Sequence, residues 1–135
     1  MEKTFHFQIC TTDGATVDTE ASYVNVPLTD GEAGFLPNHA PLLGALKEGV
    51  VRYTVDGETH YAAISGGVVS VADNEVILLA RSAERAETID LARAQASERR
   101  ARERLENRDG HVDMLRAEMS LKRALAREKA HSMIE

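Results

Sequence analysis

A chain of 135 residues with 43% apolar residues, only 4% aromatics and no Trp builds a modest core, so part of it is expected to be stable only against a partner. A single cysteine, Cys10, excludes an internal disulfide and fits a reducing compartment. No signal-like segment and no apolar run of about eighteen residues is present, so neither export by that route nor membrane spanning is expected. The net charge of -6 is uneven: residues 1–84 carry 4 basic against 12 acidic side chains, and residues 85–135 carry 12 against 10.

The first part reads as strands. Phe5, Phe7 and Ile9 alternate with Thr4, His6 and Gln8, which places the apolar side chains on one face. Tyr23-Val24-Asn25-Val26 predicts a second strand, stopped by Pro27. Residues 31–43 hold two glycines and two of the chain's three prolines. Proline fixes φ and removes a donor, which argues against a central strand and for a rigid loop holding Phe35, Leu36, Leu42 and Leu43 ready to dock. Val51, Tyr53 and Val55 alternate into Asp56-Gly57, and Thr59, Tyr61 and Ala63 alternate out, a strong hairpin signal. Gly66-Gly67 reads as a turn before Val68-Val69-Ser70-Val71. Asp73-Asn74 then turns that strand into Val76–Ala80, whose apolar residues on both faces predict a covered outer face. Short strands with frequent turns and no intervening helix argue a β-sandwich.

The composition changes at residues 82–87. From Ile89 onward there is no Pro and one Gly, and Ala, Arg, Glu and Leu dominate, all strong helix formers. Thr88 is expected to cap a first helix, with Asp90 favourable at its N-terminal dipole. Leu91, Ala94, Ala101 and Leu105 form one stripe. Asn107-Arg108-Asp109-Gly110 reads as a helix stop. A second helix is predicted over about residues 112–129, with Met114, Ala117, Leu121, Ala124 and Leu125 on its apolar side. The fold class is therefore α+β: a sandwich over residues 1–84, then a two-helix antiparallel hairpin over 85–135. Alanine-rich contacts bury little area, so the hairpin should be weakly held and able to open.

Sites of other kinds fail. Gly66-Gly67 lacks the Lys-Ser/Thr of a phosphate-binding loop. His6, His39, His60, His111 and His131 lack the spacing or Cys companions of a metal site, and no Ser or Cys sits in an activating motif. No catalytic residue is expected. Ten of the twelve basic residues after position 84 are Arg. Some of them, such as Arg102, Arg104 and Arg108, fit a helix surface laced with ion pairs, while others could hold an anionic ligand or an acidic partner. A net negative chain with few aromatics argues against nucleic-acid binding.

These residues carry a resemblance. The run Gly31-Glu32-Ala33-Gly34-Phe35-Leu36-Pro37-Asn38-His39-Ala40-Pro41-Leu42-Leu43 on an acidic sandwich, followed by an Ala/Arg-rich hairpin, resembles the epsilon subunit of bacterial F-type ATP synthases across essentially the whole chain. Gly49, Ser65-Gly66-Gly67, Ala80-Arg81-Ser82-Ala83-Glu84, Asp90–Ala94 and Arg116–Arg127 match as well. The resemblance implies a non-catalytic rotor subunit on the cytoplasmic face of the bacterial membrane, peripheral and not inserted. Its sandwich would bind the gamma subunit and the c-ring, helping to couple proton flow to rotation. The loop from about Thr29 to Leu43 would face those subunits through Glu32, Phe35, Leu36, His39 and Leu42, although His39 can also be read as bonded within its own turn.

The resemblance further implies a regulatory hairpin that extends toward the alpha and beta subunits and blocks ATP hydrolysis. Ile89-Asp90-Leu91-Ala92-Arg93-Ala94 matches the motif of members that bind ATP, and Arg123 and Arg127 lie on one helix face. With the hairpin closed, Glu84, Ile89, Asp90, Arg93, Ala94, Arg123 and Arg127 would form the ATP site. ATP would be a regulatory ligand there, with no cofactor or bound metal required. Alternatively, Asp90 serves only the helix dipole and the arginines pair with neighbouring Glu. A free-standing ATP-sensing module would use the same arginines without the docking loop.

Overall fold

The computed structural model describes residues 3–107 and 113–134. Eight strands come first: β1 (Phe5–Thr11), β2 (Gly14–Ala21), β3 (Tyr23–Leu28), β4 (Gly31–Phe35), β5 (Leu42–Leu46), β6 (Gly49–Val55), β7 (Glu58–Ala72) and β8 (Glu75–Arg85). A 3-10 turn at Ala86–Thr88 leads to α1 (Leu91–Glu106) and α2 (Met114–Ser132). The result is a β-sandwich followed by two helices, the α+β class read from the sequence. The predicted stop at Arg108-Asp109-Gly110, His111 and the start at Val112 lie outside the described residues.

The strands run β2-β1-β8-β7-β5-β3-β4, with β6 bridging β3 and β7. β1 and β8 pair in parallel and the other pairs are antiparallel. β7 organises the sandwich. β6 lies along Glu58–Ile64 of its edge and β5 along Gly67–Val71, so the two ends of one strand serve different parts of the sheet. Gly66-Gly67 is therefore not a turn but the middle of a fifteen-residue strand. A Cβ on Gly67 would lie 1.9 Å from the Leu79 carbonyl oxygen, so only glycine permits this approach of β7 to β8.

Period-two alternation fills the interior. Phe5, Phe7, Ile9, Val24, Val26, Phe35, Val51, Tyr53, Val69 and Leu78 are all buried. Phe7 meets Phe5 edge-on at 6.5 Å between ring centroids and Tyr53 at 5.2 Å. Both predicted hairpin turns have positive φ at each central residue: 50° and 79° at Asp56-Gly57, 51° and 58° at Asp73-Asn74. Other expectations are corrected. Pro27 does not end its strand; it lies inside β3, opposite Glu32, and its carbonyl accepts from the Lys47 N–H at 3.0 Å. Residues 31–43 are not one loop, because Gly31–Phe35 pairs with β3 and Leu42 opens β5, leaving residues 36–41 as the connection.

The first helix is capped by Asp90, whose carboxylate accepts from the Arg93 N–H at 3.1 Å. Thr88 instead donates its hydroxyl to the Arg85 carbonyl at 2.9 Å. Asp113 caps α2 in the same way as Asp90 caps α1, accepting from the Arg116 N–H at 3.0 Å. The seam between the helices buries Ala94 and Ala101 against Ala117 and Ala124. Leu125 is the exception to the predicted stripe, being exposed. α1 packs on α2, and α2 packs on β6, β7 and the 3-10 turn. That second contact is a small cluster of Ala63, Ala86, Ile89, Ala126 and Ala130, edged by Val50 and Tyr61. At about 0.8 kcal/mol per buried methyl-sized group, it supplies only a few kcal/mol.

Candidate functional site: a bare sheet face and an arginine-lined cavity

Two surfaces stand out. The first is the outer face of β5, β7 and β8. The pairing register sets Ala45, Val68 and Leu79 in one row, continued by Cys10 of β1, and Leu43, Ser70 and Ile77 in the next. Leu43 is 77% exposed, Leu79 53% and Val68 41%, and Leu36 in the adjoining connection is 62% exposed. The outer face of β8, expected from its two-sided apolar pattern to be covered, is not covered by the described residues of this chain, and Leu79 stands open. α2 lies elsewhere, over β6 and the first half of β7. A contiguous apolar patch left bare in a chain of modest core marks an interaction site.

The predicted docking residues divide. Leu36 is exposed in the connection after β4, while Leu42 is half-buried against the core. Phe35 is a core residue, 1% exposed, because it is the inward position at the end of β4. His39 is exposed, bonded through Nδ1 to the Ala40 carbonyl at 2.7 Å, with its ring edge-on to Phe35 at 5.0 Å. Asn38 beside it holds φ at 61°, and its N–H donates to Asn74 Oδ1 at 2.8 Å. Glu32 lies away from the leucines, on edge strand β4, by a groove shared with Lys47, Lys122 and Lys129. Val68 and Leu79 were not singled out from the sequence as docking residues. Their signal was the two-sided apolar pattern of the last strand.

The second surface is an open cavity of about 400 Å³ between the end of β8 and the two helices. It is lined by Glu84, Thr88, Asp90, Arg93, Ala94, Ser97, Arg100 and Arg127. Five of the seven residues predicted for the ATP site line it. Arg123 does not; it faces an adjoining recess with Ser65, Ser82, Glu84 and Arg127, and its Nη2 donates to Ser120 Oγ at 3.0 Å. Ile89 does not line it either, being buried in the apolar cluster under α2. Arg100 was missed: it falls two turns after Arg93, outside the matched motif, and only the helix shows that it points the same way.

Three guanidiniums, Arg93, Arg100 and Arg127, therefore share one concave surface with two carboxylates. Asp90 is committed to its helix cap, and Glu84 accepts from Arg127 Nε at 2.9 Å. Arg93 and Arg100 are exposed, which suits a polyanion bound without a Gly-rich loop. Among the described residues, no group of three His, Cys, Asp or Glu side chains could hold a metal. Within the same residues, no helix is long and apolar enough to cross a membrane.

Comparison with known proteins is consistent along the chain. The family model for the ATP synthase Delta/Epsilon chain, beta-sandwich domain, matches residues 4–86, and that for the long alpha-helix domain of the same chain matches residues 87–131. The ATP synthase epsilon chain of Desulfitobacterium hafniense is 46% identical over 130 residues, 96% of this chain and 98% of that one. That of Bacillus licheniformis is 45% identical over 125 residues, covering 93% and 95%. Among solved structures, a chain in the Euglena gracilis mitochondrial ATP synthase, in an assembly of OSCP, F1 and c-ring, superposes with a TM-score of 0.81. It is 22% identical over 94% of this chain and 81% of that one, a likeness of fold.

Proposed function

The chain belongs to the ATP synthase delta/epsilon family, and from that membership we propose that it is a central-stalk rotor subunit whose bare sheet face seats it on its neighbours. It is an epsilon-type, non-catalytic subunit of the ATP synthase. The observation that carries the docking role is the exposed patch of Leu43, Val68 and Leu79, spread over two adjacent rows of a sandwich whose helices cover a different face. The partner that buries this face is the gamma subunit, and the connection at residues 36–41 together with Glu32 meets the c-ring. The subunit thereby transmits rotation driven by proton flow, held peripherally at the cytoplasmic face of the membrane.

The hairpin is the regulatory element. Among the described residues it rests on the sandwich through a few alanines and the partly exposed Arg127–Glu84 ion pair, so a partner surface can outcompete that contact. Released, its Arg-rich helices meet acidic surfaces of the alpha and beta subunits and block hydrolysis. ATP bound in the cavity would supply a triphosphate charge that Arg93, Arg100 and Arg127 can share, with Arg123 adjacent. These residues come from both helices, so their joint engagement holds the hairpin closed. Arg127 must first leave Glu84 or share it, which lowers the affinity the site can reach.

Two measurements test these roles. Copurification with gamma should be lost on Leu79→Glu or Leu43→Glu while the melting temperature stays near that of the parent. Retention of gamma by both variants would refute the docking face. Calorimetric titration of ATP should show saturable binding that Arg93→Ala and Arg100→Ala each abolish. Absence of binding at millimolar ATP would remove nucleotide control and leave the rotor role to stand on the first experiment.

A further inference from the structure

Glu98 of α1 and Glu128 of α2 meet across the helix seam, and their carboxyl groups are in hydrogen-bond contact. Two ionised carboxylates have no donor between them, so this contact requires a proton. Glu98 is already committed as an anion, because Arg102 one turn on donates Nε to its Oε2 at 2.6 Å. Glu128 Oε2 is buried, and no donor reaches it among the described residues. The proton therefore belongs on Glu128. We infer that the seam carries a proton-dependent latch, in which Glu128 in its acid form donates to the Glu98 carboxylate and its ionisation sets two like charges against each other.

The surroundings agree. Burial, then the bond and charge of Glu98, push the Glu128 carboxyl up. The Arg102 bond, then the bond to Glu128, hold Glu98 down. From α1, the charged groups facing the pair are Arg102 and Arg99. On α2, His131 is one turn further along, and Arg127 is turned to Glu84. The sheet-side cluster under α2 holds Ala63, Ala86 and Ile89, edged by Val50 and by Tyr61 with its phenol. The sign follows. Glu128 returns to an ordinary carboxyl when the seam parts, so closing takes up a proton. The closed seam is favoured as pH falls toward the usual carboxylate range and is lost as pH rises through the raised Glu128 value. Below the depressed Glu98 value, protonation of Glu98 takes the charge from the acceptor that faces Glu128, and the bond across the seam weakens again.

The consequence for regulation rests on the opening hairpin proposed above, whereas the titration of the pair does not. The test uses the full chain. Side-chain carboxyl NMR should show Glu128 titrating above free glutamate and Glu98 below it. Amide exchange protection across the seam should fall as pH rises from the ordinary carboxylate range through the raised Glu128 value, roughly tenfold for each unit by which Glu128 is raised. Glu128→Gln keeps a donor at every pH and should give high, flat protection, while His131→Gln should keep the parent slope. An ordinary Glu128 titration, a parent-like slope in Glu128→Gln, or loss of the slope in His131→Gln would overturn the latch. Probes on α1 and the sandwich that keep one separation at every pH, with the two titrations still split, would instead overturn hairpin opening.

Discussion

Arg127 and Glu84, forty-three residues apart, face each other at the junction of hairpin and sandwich, Nε donating to Oε1 at 2.9 Å. They join α2 to the end of β8 and line both the cavity and its adjoining recess. The side chains are 32% and 38% exposed, so water and salt screen the pair and it is worth no more than about 1 kcal/mol. Arg127→Ala should therefore speed α2 amide exchange by about fivefold at most and leave the exchange of β1 and β8 unchanged. Exchange that rises equally in the sandwich would show the pair to be part of the global fold and not a local tie.

Phe35 and Leu43 belong to one sequence motif but do opposite work. Phe35 is sealed in the core, and Phe35→Ala should cost about 3–5 kcal/mol, read by denaturant unfolding. Leu43 is open to solvent, and Leu43→Ala should change stability by no more than about 0.5 kcal/mol while, on the docking role proposed above, weakening the hold on gamma. Equal destabilisation by the two substitutions would mean that Leu43 is a packing residue and that the bare face has been misassigned.

This division shows what could be read from the chain. Strands with clean alternation, such as β1 and β6, and turns with Asp-Gly or Asp-Asn were legible because the pattern is local. β2 was not, since Val17 and Ala21 are its only buried apolar positions and the rest are small or polar. The 31–43 run misled because Pro37 and Pro41 suggested that the whole segment was irregular, whereas both prolines fall in the short connection between β4 and β5. In the cavity, Asp90, Arg93 and Ala94 were legible from a contiguous motif. Arg100 needed the helix geometry, and the displacement of Ile89 into the apolar cluster needed the packing of α2.

Gly67 offers a sharp test of the β7 crossing. Its missing Cβ leaves room for the Leu79 carbonyl and the Ala80 Cα, both backbone atoms that cannot move aside like a side chain. Gly67→Ala should cost about 3 kcal/mol or more through overpacking and lower the melting temperature accordingly. Gly57→Ala is the contrast: nothing lies within 4 Å of the added Cβ, and only its φ of 79° is penalised, so a smaller loss is expected. A Gly67→Ala protein that melts with the parent would show that β7 and β8 do not approach this closely.

The outer face of β1 carries a pH response of its own. His6 Nε2 lies 2.6 Å from Asp18 Oδ1 on β2, and Nδ1 lies 3.8 Å from Glu75 Oε1 on β8, so one imidazole links three strands. The hydrogen bond to Asp18 is the main cause holding the His6 pKa above its usual value, and the same bond is the main cause holding Asp18 below its own. For His6, the stabilisation is complete below the ordinary histidine value of about 6.5 and is lost as pH rises through the raised one. For Asp18, it is present above the ordinary aspartate value of about 3.9 and lost as pH falls through the depressed one. The link is thus strongest between those limits, and β2 should loosen on the alkaline side. Melting curves across that range should show a small alkaline decline in the parent that His6→Gln removes. The effect must be small because the side chains of His6 and Asp18 are 34% and 52% exposed. A decline that persists unchanged in His6→Gln would assign it to another group and leave the three-strand link without a role in stability.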